Sequence, residues 1–353
     1  MVAIPVPAAQ PAAMEGDMRL RAVRQWLLAL ILLVFAMVLV GGATRLTESG
    51  LSITEWDLVA GTVPPLNAAD WQTEFDRYRQ SPQYDLLNRG MGLADFKRIF
   101  WWEWAHRELG RFIGLVYIAG FVWIAVRRAV SPRRLAILAA MGALLAMQGA
   151  VGWIMVASGL EPGMVSVAPV KLALHLMLAS LFFAALVAMY VRIGGAEREA
   201  APPIARSGAW LLMVLAFVQI ALGGLVAGFD AGLAYNDWPL MDGRFLPRGL
   251  LLLEPWWRNA FENAATIQFN HRLGAYVLAA AILAYAIAAR KWESGVGARA
   301  ALASALVLGQ VGIGIATLVH SVPIGLAIMH QGFALILLLL LVWNASVLTR
   351  VRN

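Results

Sequence analysis

The sequence predicts an all-α membrane protein whose eight transmembrane helices form two tandem four-helix bundles related by a parallel internal repeat. Three observations carry that expectation. The 353-residue chain is 61% hydrophobic and only 14% charged, and its charges gather between long apolar runs. Each run is about 20 residues long, the length a helix needs to cross a hydrocarbon core. The end of the first run also matches the end of the fifth, residue for residue.

The spans are expected at about 25–43, 107–127, 135–157, 170–191, 208–228, 271–290, 299–319 and 324–346. A Pro/Ala-rich segment, 1–24, precedes the first and reads as a short disordered cytoplasmic tail. It lacks both a signal-peptide pattern and an Arg-rich transit segment, which favours a bacterial inner (plasma) membrane. The first four spans make an N-terminal bundle, 25–192, with a long outer loop at 44–106. The run Phe96-Lys97-Arg98-Ile99-Phe100-Trp101-Trp102-Glu103-Trp104 leads into the second span as an interfacial aromatic belt. A linker, 193–207, joins a C-terminal bundle, 208–347, with its own outer loop near 229–270; a tail, 348–353, follows.

Arg19, Arg21 and Arg24 precede the first span, and Arg127, Arg128, Arg133 and Arg134 lie between the second and third. Arg192, Arg198 and Arg206, then Arg290, Lys291 and Arg299, then Arg350 and Arg352 mark the later connections on the same side. The short connections at 158–168 and 320–323 have no Lys or Arg, so the positive-inside rule puts both termini in the cytoplasm. The net charge of +7 reflects this anchoring; single arginines on short loops form no basic stripe for nucleic acid. The absence of cysteine excludes disulfides, thiolate metal sites, c-type haem attachment and iron–sulfur clusters.

Residues 41–56 align without a gap with residues 223–238. The paired glycines, the Gly-Leu step and the tryptophan coincide, and Glu48 and Glu55 meet Asp230 and Asp237. The register continues to Gly61 and Gly243 and to Pro65 and Pro247; Gln148 and Gly152 match Gln310 and Gly314. An even number of spans per unit gives both copies one orientation. The duplicated acids read as organisers of the outer loops or as solvated loop charge.

Four of the five histidines follow the same duplication. His106 and His271 each precede an arginine, Arg107 or Arg272, with Gly110 or Gly274 close behind; His175 and His330 follow Pro169 and Pro323 by about two turns. At 1.5 Å per residue His175 lies about 9 Å inside its span, so each pair can meet across a bundle. An ionisable residue inside a bilayer points to function, and two imidazole pairs suit two haem irons as axial ligands. Gly110 and Gly274 would leave room for a porphyrin face. Arg107, Arg272 and Lys171, one turn from His175, would meet propionates. Hydrogen-bonded packing or proton relay is the alternative for any single histidine. His320 has no counterpart and reads as an interface residue.

Glu103 stands three residues before His106, where the second half has Gln268 before His271. The two sites are therefore unequal, and Glu103 is the candidate catalytic group; a Glu103–Arg107 pair or an anchor for His106 is the plainer reading. Three functions stay open on the residues alone: a membrane oxidoreductase, a di-haem b-type cytochrome passing electrons from quinol, and a transporter with histidine-based proton coupling.

The segments 41–52 and 96–107, with Phe269-Asn270-His271-Arg272-Leu273-Gly274 and Met329-His330-Gln331, resemble the haem A synthase family over essentially the whole chain. The resemblance implies oxidation of the C8 methyl of haem O to a formyl group, giving haem A for cytochrome c oxidase. It implies a stable haem b on His271 and His330 and the substrate haem on His106 and His175, with Glu103 near the substrate iron. Haem O synthase and oxidase assembly factors become candidate partners, beside an unidentified electron donor or acceptor, the lipid bilayer and a homo-oligomer. Part of the family carries a cysteine pair in the outer loops; this chain has none and looks more like the proteobacterial and mitochondrial group.

Overall fold

A computed structural model of the chain describes residues 11–57, 60–194, 199–292 and 295–350. Arg198 and Arg352, among the orienting residues, lie outside these, as does the start of the N-terminal tail. In chain order the long helices are α1 (Pro11–Leu46), α4 (Leu93–Val126), α5 (Pro132–Gly159), α6 (Pro169–Ile193), α7 (Pro203–Gly228), α9 (Ala264–Ala289), α10 (Val296–Val319) and α11 (Ile324–Val347). Among the described residues, then, eight helices are long and apolar enough to cross a membrane. Shorter helices α2 (Ala68–Tyr78) and α3 (Pro82–Leu86) lie between α1 and α4, and α8 (Asn259–Glu262) precedes α9.

Local chemistry sets the starts. Pro132, Pro169 and Pro203 occupy the first turns of α5, α6 and α7, where a missing N–H costs no helical hydrogen bond. Asn263 caps α9 by accepting from the N–H groups of Ala265 and Thr266. That cap lets α9 begin before His271, and α4 begins at Leu93, well before His106; both spans were expected to start at the histidine. The Trp-rich stretch before His106 is thus helix, and Glu103 and His106 share one face of it. The 44–106 segment is not an open loop but largely helical.

Packing closes two rings. Helices α1, α4, α5 and α6 contact one another in cyclic order, and so do α7, α9, α10 and α11. The rings meet where α6 packs on α7 and α11, and α1 on α11. Small residues allow the closest of these approaches: a Cβ on Gly224 would lie 2.9 Å from Ala173 Cα, and one on Gly228 would lie 2.7 Å from Pro169 Cβ. The core runs through both rings, with Leu27, Phe182, Phe183 and Leu186 buried alongside Leu212, Ile282 and Leu338. Leu115, Ile118, Val126 and Ile287 face outward, as a bilayer solvent permits.

Two further features close the ends. An aromatic cluster of Trp71, Phe75, Tyr78, Phe96 and Phe100 joins α2 to the outer part of α4. Gln83 ties this cap down by donating to the carbonyls of Glu48 and Val165. At the other end β1 (Glu199–Ala201) pairs in parallel with β2 (Leu348–Arg350), where a linker and a free tail were expected. Arg299 holds β1 through a two-pronged ion pair with Glu199 at 2.6 and 2.9 Å.

Candidate functional site

The four histidines sit half-buried inside the two rings. His271 on α9 and His330 on α11 face each other with ring centroids 6.4 Å apart and planes at 79°. That gap admits one metal ion, since metal–imidazole bonds are about 2 Å. His106 on α4 and His175 on α6 occupy the same places in the first ring. Each ring nestles against a glycine. A Cβ on Gly41 would lie 3.1 Å from His106, and one on Gly223 would lie 3.1 Å from His271. One on Gly152 would be 2.7 Å from His175 Cε1, and one on Gly314 would be 2.7 Å from His330 Cε1. A glutamine accompanies each histidine of the second kind: Gln148 Nε2 lies 3.3 Å from His175 Nε2, and Gln310 Nε2 lies 3.4 Å from His330 Nε2.

The buried atoms left unpartnered are informative. His175 Nδ1, His330 Nδ1 and the side-chain oxygens of Gln148, Gln219 and Gln310 have no hydrogen-bond partner. Buried polar atoms are rarely orphaned without reason. Arg24, Trp104 and Arg272 also leave a nitrogen without a partner among the described residues, but these five atoms belong to the imidazoles or to the glutamines beside them, and paired imidazoles are a donor set that fits haem iron.

Glycines 110 and 274 do not do what was expected of them. A Cβ on Gly110 would meet Met37 Cε at 3.3 Å, and one on Gly274 would collide with Gln219. They let α4 approach α1 and α9 approach α7, while Gly41, Gly152, Gly223 and Gly314 border the imidazoles. All four of these lie in the repeated segments, which was the available signal for them.

The arginines after the histidines are likewise engaged. Arg107 donates to the carbonyls of Ile53 and Glu55 at 2.7 and 2.9 Å and to Glu103 at 2.6 Å. Arg272 donates to the carbonyls of Tyr235 and Asp237 at 3.1 and 3.0 Å and to Gln268 at 3.1 Å. Ile53 and Glu55 align with Tyr235 and Asp237, so both guanidiniums staple the same stretch of outer loop instead of standing free for propionates. Lys171 makes no ion pair among the described residues and remains the available cation.

Glu103 is 2% exposed, and its carboxylate accepts from Ser52 Oγ at 2.7 Å, Ile53 N at 2.8 Å and Arg107. Gln268 in the same place reverses the polarity and donates to the carbonyls of Ala231 and Tyr235 at 2.8 and 3.0 Å. Glu103 therefore anchors the outer loop through its own helix, the plainer of the two roles the sequence suggested. The duplicated acids also organise the loops. Glu48 and Asp230 share a left-handed backbone, with φ of 53° and 49°, and Asp230 pairs with Arg45 at 2.6 Å. Asp237 accepts from the N–H groups of Gly243 and Asp242, each at 3.0 Å. The Gly243 N–H, before any other influence, holds its carboxyl below the usual range. His320 caps α10 through Ala316 O at an exposed end, away from the pairs.

Two imidazole pairs inside two helix rings beneath a folded cap define a polytopic membrane protein with two candidate sites of the same plan. The chain belongs to the family described as cytochrome oxidase assembly protein, which it matches over residues 24–342. It is 51% identical over 338 residues to a protein of Methylorubrum populi named heme A synthase, covering 95% of this chain and 87% of that one. A heme A synthase of Mesorhizobium japonicum is 51% identical over 92% of this chain and 90% of its own length. One from Rhodopseudomonas palustris is 51% identical over 91% and 89%.

Proposed function

We propose that this chain is an enzyme of haem A biosynthesis that oxidises the C8 methyl group of haem O to a formyl group. Relatives named heme A synthase at about half identity over nearly the whole chain support this. The single structural observation that carries it is the duplicated imidazole pair with unequal surroundings, Glu103 against Gln268.

In this reading the halves 25–192 and 208–347 are copies of one four-helix unit. The recurrence of the glycine, glutamine and arginine contacts supports that. His271 and His330 hold a resident haem b, which supplies one-electron chemistry when bound. His106 and His175 take haem O as substrate, and Lys171 meets a propionate at its edge. Gly41 and Gly152 keep the space beside those imidazoles clear of side chains. Glu103 and Arg107 fix residues 52–55 over that half, excluding water and placing a carboxylate one turn from His106. Arg19 reaches the Arg127 carbonyl at 2.8 Å, which puts the start of α1 beside the basic α4–α5 connection and supports a cytoplasmic location for that end. The membrane is then a bacterial inner membrane, with both termini inside and the cap outside. Upstream a haem O synthase supplies the substrate; downstream the product passes to cytochrome c oxidase assembly.

Expression in a cell deprived of its own haem A-forming enzyme tests the assignment. The chain is expected to restore haem A, and its His106→Ala variant to leave haem O accumulating. Failure of the unaltered, membrane-inserted chain to yield haem A would overturn the proposal.

A further inference from the structure

Three of the four paired histidines have a glutamine amide against the ring; among the described residues His106 has none. Gln148 serves His175 and Gln310 serves His330. For His271 the partner is Gln219, whose Nε2 lies 3.0 Å from Nδ1 and also donates to the His271 carbonyl at 3.0 Å. In the gap-free alignment of α1 with α7, the position of Gln219 is held by Met37. Both side chains lie against the histidine-bearing helix of their own half: Met37 Cε is what a Cβ on Gly110, four residues after His106, would meet, and Gln219 is what one on Gly274, three residues after His271, would meet. A thioether can neither fix nor polarise an imidazole as an amide does.

We propose that Gln219 and Met37 are positioning residues that make the halves unequal in retention. Gln219 locks His271, so the second half keeps its haem; Met37 leaves His106 unsupported, so the first half releases its own. The inference rests on the assignment of a haem to each imidazole pair and adds which axial ligand is the weak one. The chemistry is general: a partner on the distal nitrogen fixes ring orientation and raises ligand basicity, and its loss costs about 10–100-fold in metal affinity. An iron on Nε2 leaves the proton on Nδ1; the amide of Gln219 lies within reach of that nitrogen, and turned end for end it offers its oxygen, which has no partner as it now stands among the described residues, as the acceptor such a proton needs. An enzyme that passes on a haem product needs one site that lets go and one that does not.

The test is haem transfer from the purified, haem-loaded full chain to excess apomyoglobin, followed by absorbance. The unaltered protein is expected to lose haem in a fast and a slow phase of equal amplitude. Gln219→Met should speed the slow phase about tenfold, while Gln219→Glu, which keeps an acceptor oxygen, should leave it slow and keep the low-spin spectrum. Met37→Gln should slow the fast phase, which covers the case in which Gln219→Met does not fold. A single phase in the unaltered protein, or phases that neither Gln219→Met nor Met37→Gln moves, would overturn the inference. Protein that binds no haem would instead overturn the haem assignment beneath it.

Discussion

A single methyl group decides whether the imidazole cradles stay open. An alanine at 152 would put its Cβ 2.7 Å from His175 Cε1, and one at 314 would sit equally close to His330. Such overpacking costs about 1–3 kcal/mol, which here is spent on displacing a ligand ring. Gly152→Ala is expected to halve the haem-to-protein ratio by emptying the first half, and Gly314→Ala to do the same in the second; pyridine haemochrome titration measures both. Removing the Glu103 carboxylate takes the acceptor from the Ile53 N–H, the nearer acceptor from the Ser52 hydroxyl and the ion pair from Arg107, which keeps only its loop carbonyls. Glu103→Ala is expected to cost about 1–3 kcal/mol of stability and to stall conversion while haem is still bound; thermal unfolding and product analysis check the two effects. At this scale the pairing of His271 with His330 was legible because duplicated motifs set the histidines at matching depths, which no single histidine in an apolar run would have shown. The loop contacts of Arg107 and Arg272 were not legible, because a guanidinium followed by an unpatterned loop gives no sign that loop carbonyls will accept from it. Gly110 and Gly274 were misassigned for a related reason. Proximity in sequence to a histidine suggested a shared cavity, whereas the helix face turned them toward α1 and α7.

The segment between α1 and α4 folds as a cap on one end of the first ring, and its integrity rests on aromatic packing. Trp71 contacts Phe96, Phe100 and Trp101 edge-on at 4.9–6.5 Å between ring centroids. Trp71→Ala should cost about 3–5 kcal/mol locally and make residues 60–92 open to limited proteolysis while the helix rings stay intact. In the second outer loop, the Gly243 N–H and then the Asp242 N–H hold the Asp237 carboxyl below its usual range. A carboxyl so depressed contributes stability above the ordinary carboxylate range and loses it as pH falls through the lowered value. Amide exchange at Asp242 and Gly243 should therefore rise on acidification, beyond its intrinsic pH dependence, and Asp237→Asn should abolish that excess. The spans themselves were readable from hydropathy, because lipid leaves few alternatives to a helix. The cap was not: α2 and α3 are short and held by Tyr78, Gln83 and Asn88, whose bonds to one another and to Glu48 are contacts no periodicity announces. The starts of α4 and α9 were missed because helices here run past the apolar boundary into the interface.

At the scale of the whole molecule, two closed rings of four helices explain why two sites exist and why they can differ. Each ring supplies its own imidazole pair, and the shared core of α1, α6, α7 and α11 fixes one ring against the other. Repeat and histidine spacing together pointed to this arrangement, since matching glycines and glutamines kept their register with the ligands. The asymmetry between the rings includes Glu103 against Gln268 and Met37 against Gln219; the second pair follows the alignment in sequence, and only packing placed Gln219 beside His271. Reporter fusions at both termini are expected to be active only on the cytoplasmic side, and fusions within 60–92 only outside. The central claim is that the first ring converts the haem it binds. Mass analysis of the haem extracted from purified protein after supply of haem O tests it most directly. The account predicts haem B together with the formyl product, haem A, and haem B with unconverted haem O from Glu103→Ala; haem B alone from the unaltered protein would contradict it.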